Sequence, residues 1–147
     1  MPILEEDVEA IYKLGCSQKD FSADGGKNCF WPKATLFRLV RSESDIVLKL
    51  LVDEELAGFA LVVVHPATKK AYIENFYVIE EFDFVELEFL QEVERAIKAK
   101  GAQFIAYYYD TVDDTNPEKL FKDAGYFKGN PHLWLHKNIN FSNLSPK

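Results

Sequence analysis

The stretch FYVIEEFDFVELEFLQEVERAIKAKG, residues 76–101, begins as an apolar strand and ends as a helix. Glu80, Glu81, Asp83, Glu86 and Glu88 crowd the turn between the two. Such a turn usually suits an anion, because free backbone N–H groups and the helix dipole point there. Here five carboxylates already supply the negative charge. The turn reads either as an ordinary helix start, capped by its acids and solvated, or as an anion site cancelled by those acids. Just upstream, Glu74 lies in AYIENFYVI, and strand alternation puts it on one face with Phe76 and Val78. Among such neighbours a carboxylate has a raised pKa and suits the work of a general base. Paired with Lys or Arg, the same residue would be structural, since such pairs also shift pKa values.

The other reactive side chains carry less. In QFIAYYY, alternation sends Tyr107 and Tyr109 to one face and Tyr108 to the other. Tyr also suits half-buried strand positions without any chemistry. His65 precedes Pro66 in a turn, and His132 and His136 flank Trp134. None has a partner at metal or triad spacing, so all three read as structural and no metal is expected. Cys16 and Cys29 form no disulfide framework and have no adjacent base to activate a thiolate.

These residues must be positioned by a mixed α/β domain. Val8, Ile11 and Tyr12 recur at helical spacing between Glu5 and Leu14. A loop around Gly25-Gly26 follows, then a second helix in FWPKATLFRLVR, with Pro32 near its first turn and Leu36, Leu39 and Val40 on its apolar face. IVLKLLV and AGFALVVV form a hairpin across DEEL, and AYIENFYVI is a third strand beyond HPATKK. A helix from about Val85 to Lys100 carries the stripe Phe89, Leu90, Val93, Ala96 and Ile97, and Gly101 ends it. QFIAYYY is the next strand. TNPEKLFKDAG is a short helix with Asn116 as N-cap, Pro117 at its first position and Gly125 at its end. Short strands near GYFK and HLWLHKNI close the domain, and residues 140–147 are a loose tail. Three successive strands predict an antiparallel meander. The helix after them is a crossover, so AYIENFYVI and QFIAYYY should lie side by side and parallel. The sheet is mixed, mostly antiparallel, with helices on its faces.

The totals agree with one domain spanning residues 1–147. Of the chain, 48% is hydrophobic, and no run is long and apolar enough to cross a bilayer, so no membrane partner is expected. The acidic N-terminus MPILEEDVEAIYK lacks the order of a secretory signal, and a reduced cytoplasmic setting is the default. At a net charge of −7, nucleic acid is a poor partner, and cations or amines are better ones.

From about Glu5 to Ile139 the chain resembles the GNAT superfamily of acyl-CoA N-acyltransferases. FWPKATLFRLV looks like that family's second helix, VDEELAGFALV like its second and third strands with Gly58 at the usual glycine, and YIENFYV like its fourth strand. EKLFKDAGYFKG is similar to its last helix and strand, whereas the strand before the first helix is almost absent. The resemblance implies transfer of an acyl group from acetyl-CoA to an amine on a small molecule or peptide, and it allows a homodimer. It places the cofactor along Phe76, Tyr77 and Val78, over the turn Phe82, Asp83, Phe84 and Val85, and beside Asp114 and Phe121. Strand N–H groups of Phe76 and Val78 would hold the pantetheine arm, and Phe21, Phe30 and Trp31 lie where the family shapes its amine pocket. Glu74 takes the place of the base.

Three positions depart from the family pattern. The pyrophosphate turn has neither Gly nor Arg. The usual acid, a Tyr, is Phe121, and a frequent Asn is Asp114. Tyr107 or Tyr109 would then have to supply the proton. Acetyl-CoA is therefore expected to bind weakly or not at all, and the alternative to an active transferase is a GNAT-fold domain that serves as a binding or regulatory module.

Overall fold

A computed structural model describes residues 1–18, 30–107 and 117–130, with Leu133, Leu135, Lys137 and Ile139. Its elements run α1 (Val8–Cys16), α2 (Lys33–Arg41), β1 (Ile46–Val52), β2 (Glu55–His65), β3 (Lys70–Val78), α3 (Glu86–Ala99), β4 (Phe104–Tyr107) and α4 (Glu118–Asp123). The strands form one sheet in the order β1-β2-β3-β4. β1, β2 and β3 pair antiparallel, and β3 pairs parallel with β4 from Lys70↔Phe104 to Ile73↔Tyr107. The meander and the parallel crossover pair are both as the order of patterns predicts.

Each face of the sheet buries its own core. On one side Phe89, Leu90, Val93 and Ile97 of α3 pack with Ala60, Val62, Ile73, Phe76 and Val78. On the other, Val8 and Ile11 of α1 and Leu36 of α2 pack with Phe30, Val47, Phe59 and Leu61. Fully burying a Phe, Leu or Val side chain stabilises by about 1.5–3 kcal/mol, so these two layers hold the helices on the sheet. The helix stripe in α3 is the predicted one, with Ala96 at its half-buried margin.

Local chemistry sets the ends. Both α3 and α4 stop in a left-handed glycine, Gly101 at φ 84° and Gly125 at φ 92°. In α4 the Tyr126 N–H is donated to Phe121 O at 2.9 Å and the Gly125 N–H to Lys122 O at 2.9 Å, which satisfies carbonyls the helix leaves open. Pro117 directly precedes α4 rather than opening it, and Pro32 likewise stands before α2. Asn116, the expected cap, lies outside the described residues. The β1–β2 turn is shorter than DEEL. Asp53 and Glu54 alone make it, at φ 50° and 66°, and pairing resumes at Val52↔Glu55. Two positive-φ residues match the twist of a hairpin, so no longer loop is needed.

The residue stretch before α1 is more strand-like than the sequence suggests. Ile3 donates its N–H to Val47 O at 3.0 Å, Lys49 donates to Met1 O at 2.8 Å, and Pro2 bridges Leu48 antiparallel. Met1–Ile3 thus covers the outer edge of β1. The expected strand at GYFK does not form. Gly125 and Tyr126 are taken up by the helix end, and the residues up to Asn130 belong to no strand. HLWLHKNI falls partly outside the described residues, and its described members Leu133, Leu135, Lys137 and Ile139 are exposed and unpaired in any strand.

Candidate functional site

The parallel pair β3–β4 and helix α4 bring three predicted positions together. The Phe121 ring of α4 stacks on Tyr107 of β4, with centroids 4.2 Å apart and planes 12° apart. It meets Phe76 of β3 edge-on at 5.9 Å, and Phe76 in turn stacks on Phe89 of α3 at 5.4 Å. Phe121 and Phe76 are buried, and Tyr107 is half-buried. The surroundings of Phe121 are aromatic and apolar, as expected of a ring that carries no proton. Tyr109 and Asp114 lie outside the described residues, as do Tyr108, Phe21, Cys29, His132, Trp134 and His136.

Backbone N–H groups along β3 alternate between its two sides. Ile79 donates its N–H to Ala57 O at 2.8 Å, back toward β2. Alternation along the strand then turns the N–H groups of Tyr77 toward β2 and those of Phe76 and Val78 away from it. Those two donors fit an extended amide-bearing arm laid along the strand. Tyr77 faces the opposite core, edge-on to Phe59 at 6.2 Å, and burial first and Glu80 second push its hydroxyl pKa up.

At Glu74 simple alternation fails. The β2–β3 register slips between Leu61↔Asn75 and Val62↔Ile73, so β3 carries one extra residue there. Ile73 and Phe76 consequently lie in the same core although they are three apart. This β-bulge locally re-aims side chains. The parity argument that groups Glu74 with Phe76 and Val78 does not hold across it. Glu74 sits in the bulge, half-buried. The next residue, Asn75, was not singled out by its sequence. Its Oδ1 accepts a 2.6 Å hydrogen bond from Trp31 Nε1, on the side of α1 and α2. An Asn beside Phe76 in an otherwise apolar strand was the available signal.

The acidic turn is a 3₁₀ segment, Glu80–Val85, that runs into α3, with Phe82 kinked out of helical geometry at φ −109° and ψ 17°. No side chain caps it or α3, which corrects the expectation of a helix start capped by its acids. Two backbone donors are used in 3₁₀ bonds instead. Phe82 N–H goes to Ile79 O at 2.8 Å, and Glu86 N–H goes to Asp83 O. Phe82 packs against the α3 core, while Phe84 is 72% exposed and Val85 is half-buried. Asp83 is exposed. Residues 79–94 contain no Lys or Arg. A diphosphate at this turn would meet carboxylates, and the N–H groups of Phe82 and Glu86 are already bonded. One carboxylate about 5 Å from a phosphate charge costs about 3 kcal/mol at an effective dielectric of about 20, and less in water.

The turn repels itself as well. Burial first and Asp83 second raise the Glu86 pKa. A carboxyl raised in the folded state adds stability below its unfolded pKa and loses it as pH rises through the folded value. At pH 7 the charge is therefore a cost. Glu86→Gln should raise the melting temperature at pH 7, by no more than about 0.5 kcal/mol in stability because the site is partly solvated. The gain should vanish near pH 4, which thermal melts at the two pH values check.

With the geometry in place, the chain can be set beside known proteins. No family model matches it, and no curated protein matches it. Solved structures do. Aminoglycoside 6'-N-acetyltransferase AAC(6')-Ih from Acinetobacter baumannii superposes with a TM-score of 0.74 at 16% identity, over 95% of this chain and 97% of that one. Aminoglycoside N-acetyltransferase AAC(6')-Iy in complex with CoA gives 0.64 at 16% identity, over 72% and 85%. Ribosomal-protein-S18-alanine N-acetyltransferase from Escherichia coli gives 0.68 at 14%, over 88% and 77%. The chain has the GNAT fold, that of the acyl-CoA N-acyltransferases. Among the described residues, no helix is long and apolar enough to cross a membrane, and no cluster of side chains could hold a metal.

Proposed function

We propose that the protein is a divergent N-acetyltransferase that acylates a small amine. The observation that carries this reading is the meeting of Phe76, Tyr107 and Phe121 where α4 crosses the parallel pair β3–β4. The similarity to aminoglycoside N-acetyltransferases supports a small-molecule amine as the acceptor. When bound, acetyl-CoA would supply the acyl group. The N–H groups of Phe76 and Val78 fit its pantetheine arm, and the 3₁₀ turn does not fit its diphosphate.

The chain's own residues divide the remaining work. Glu74, half-buried in the bulge, would take a proton from the amine nitrogen. Tyr107 would hold a proton at its phenolic oxygen, close to the place where Phe121 has none to give. The measurement is thiol release from acetyl-CoA with a panel of amines. Glu74→Gln and Tyr107→Phe should each lower kcat about 100-fold, the low end for a general acid or base, with folding unchanged. Activity unaffected by both changes would overturn these assignments.

A second reading has its own observation. The bonded N–H groups of Phe82 and Glu86 and the acids of the 3₁₀ turn, which have no ion pair among the described residues, favour a GNAT-fold module that binds a ligand or partner without acetyl-CoA. Absence of thiol release with every amine, together with no acetyl-CoA binding, would select it.

A further inference from the structure

The hydroxyl of Tyr126 is the one buried side-chain polar atom without a hydrogen-bond partner among the described residues. Buried hydroxyls are otherwise bonded, to protein or to ordered water. Water is no remedy here, because the oxygen is sealed from solvent and a water needs room beside it. Glu94 of α3, half-buried, faces the hydroxyl and closes no hydrogen bond with it. Burial first and this carboxylate second push the Tyr126 pKa up. The hydroxyl is thus a small displacement from an acceptor. Tyr126 cannot make that displacement alone. Its N–H is donated to Phe121 O at 2.9 Å, and its ring meets the Phe121 ring edge-on at 4.9 Å. Phe121 in turn stacks on Tyr107 of β4 at 4.2 Å. A helix of six residues, as α4 is, keeps its place by packing rather than by its own bonds. A shift of Tyr126 toward α3 therefore carries α4 and Phe121 with it.

We infer that α4 has two positions: in the second, the Tyr126 hydroxyl donates to the Glu94 carboxylate and Phe121 is drawn off Tyr107. The structure shows the first. α4 is then a gate over the parallel pair β3–β4, with Tyr126 and Glu94 as its latch. A ligand that enters beside Tyr107 binds the second position better and shifts the population toward it. The gate serves a transferase and a binding module alike, so it does not rest on the acetyltransferase reading.

Two measurements on the full chain test this without any ligand. Hydrogen exchange at the amides of Phe121, Ala124 and Tyr126, all bonded within α4 and its end, reads the latch. The nuclear Overhauser effect between the Phe121 and Tyr107 rings reads the gate. Tyr126→Phe removes only the oxygen. It should speed exchange at those amides about tenfold, the low end for a hydrogen bond to a charged group, and strengthen the ring-to-ring signal. Glu94→Leu removes the acceptor and should do the same. Glu94→Gln keeps an acceptor oxygen and should recover part of the protection, and it is the variant to read if the Leu change prevents folding. Tyr126→Phe combined with Glu94→Leu should exchange no faster than either alone, because both remove one bond. Exchange that is unchanged or slowed in Tyr126→Phe overturns the latch, and so does a double variant about a hundredfold faster than the wild type. A ring-to-ring signal equal in wild type and variants overturns the gate.

Discussion

Titrated with acetyl-CoA at physiological salt, the protein is expected to give a dissociation constant of about 100 μM or weaker, equivalent to about −5.5 kcal/mol. Each element of the turn acts in that direction. The N–H groups of Phe82 and Glu86 are bonded to Ile79 and Asp83, so they are not free for phosphate oxygens. Glu80, Glu81, Asp83, Glu86 and Glu88 add repulsion that grows as salt falls. The raised Glu86 pKa shows that negative charge is already disfavoured there. No Lys or Arg between Val78 and Arg95 offers a charge-assisted contact. What remains is the arm along Phe76 and Val78, worth a few strand-type hydrogen bonds of about 0.5–1.5 kcal/mol each. Calorimetry at low and moderate salt checks both the size and the sign. Affinity should improve as salt rises, opposite to the usual behaviour of a basic phosphate site. A low-micromolar constant, or one that weakens with salt, would mean that the 3₁₀ segment opens to admit the diphosphate.

The second large effect concerns the frame that holds the site. Gly58 on β2 is paired with Leu50 on one side and Val78 on the other. A Cβ built there would lie 2.3 Å from Tyr77 O and 3.1 Å from Val78 Cα. Both are backbone atoms in the middle of a sheet, so neither can swing aside as a flexible side chain would. Gly58→Ala should cost about 3 kcal/mol, at the upper end for inserting a methyl into a packed interior. In a domain of this size that lowers the melting temperature by roughly 10 °C. Gly129→Ala is the control, because a Cβ there meets nothing within 4 Å. The strain falls on Tyr77 and Val78, so any surviving protein should also bind acetyl-CoA more weakly through the arm. A loss under about 2 °C would show that β2 and β3 can separate there without penalty.

Much of the scaffold was legible because it rests on local pattern. The period of Phe89, Leu90, Val93 and Ile97 faces one core, and the glycine at 101 ends that helix for a reason internal to the helix. The succession of three strands and a crossover helix dictates which neighbours are parallel. The rings of Phe76 and Phe121, two positions taken from the resemblance, meet edge-on in the structure.

Features that depend on partners far along the chain were not legible. Alternation can assign Glu74 to a face only while the register holds, and the register is set by how β3 pairs with β2. The Asn75–Trp31 bond joins residues 44 positions apart, and no spacing announces it. The acids of the turn are plain in the sequence. That the N–H groups of Phe82 and Glu86 are spent in 3₁₀ bonds is a matter of backbone conformation. By itself the sequence determined which faces are apolar, where the helices stop and the sign of the charge near the site, because those follow from side chains close in the chain. Only the tertiary structure decided the bulge, the orientation of the Asn75 amide and the direction of each backbone donor, because hydrogen-bond pairing across strands is settled by geometry that local pattern does not contain.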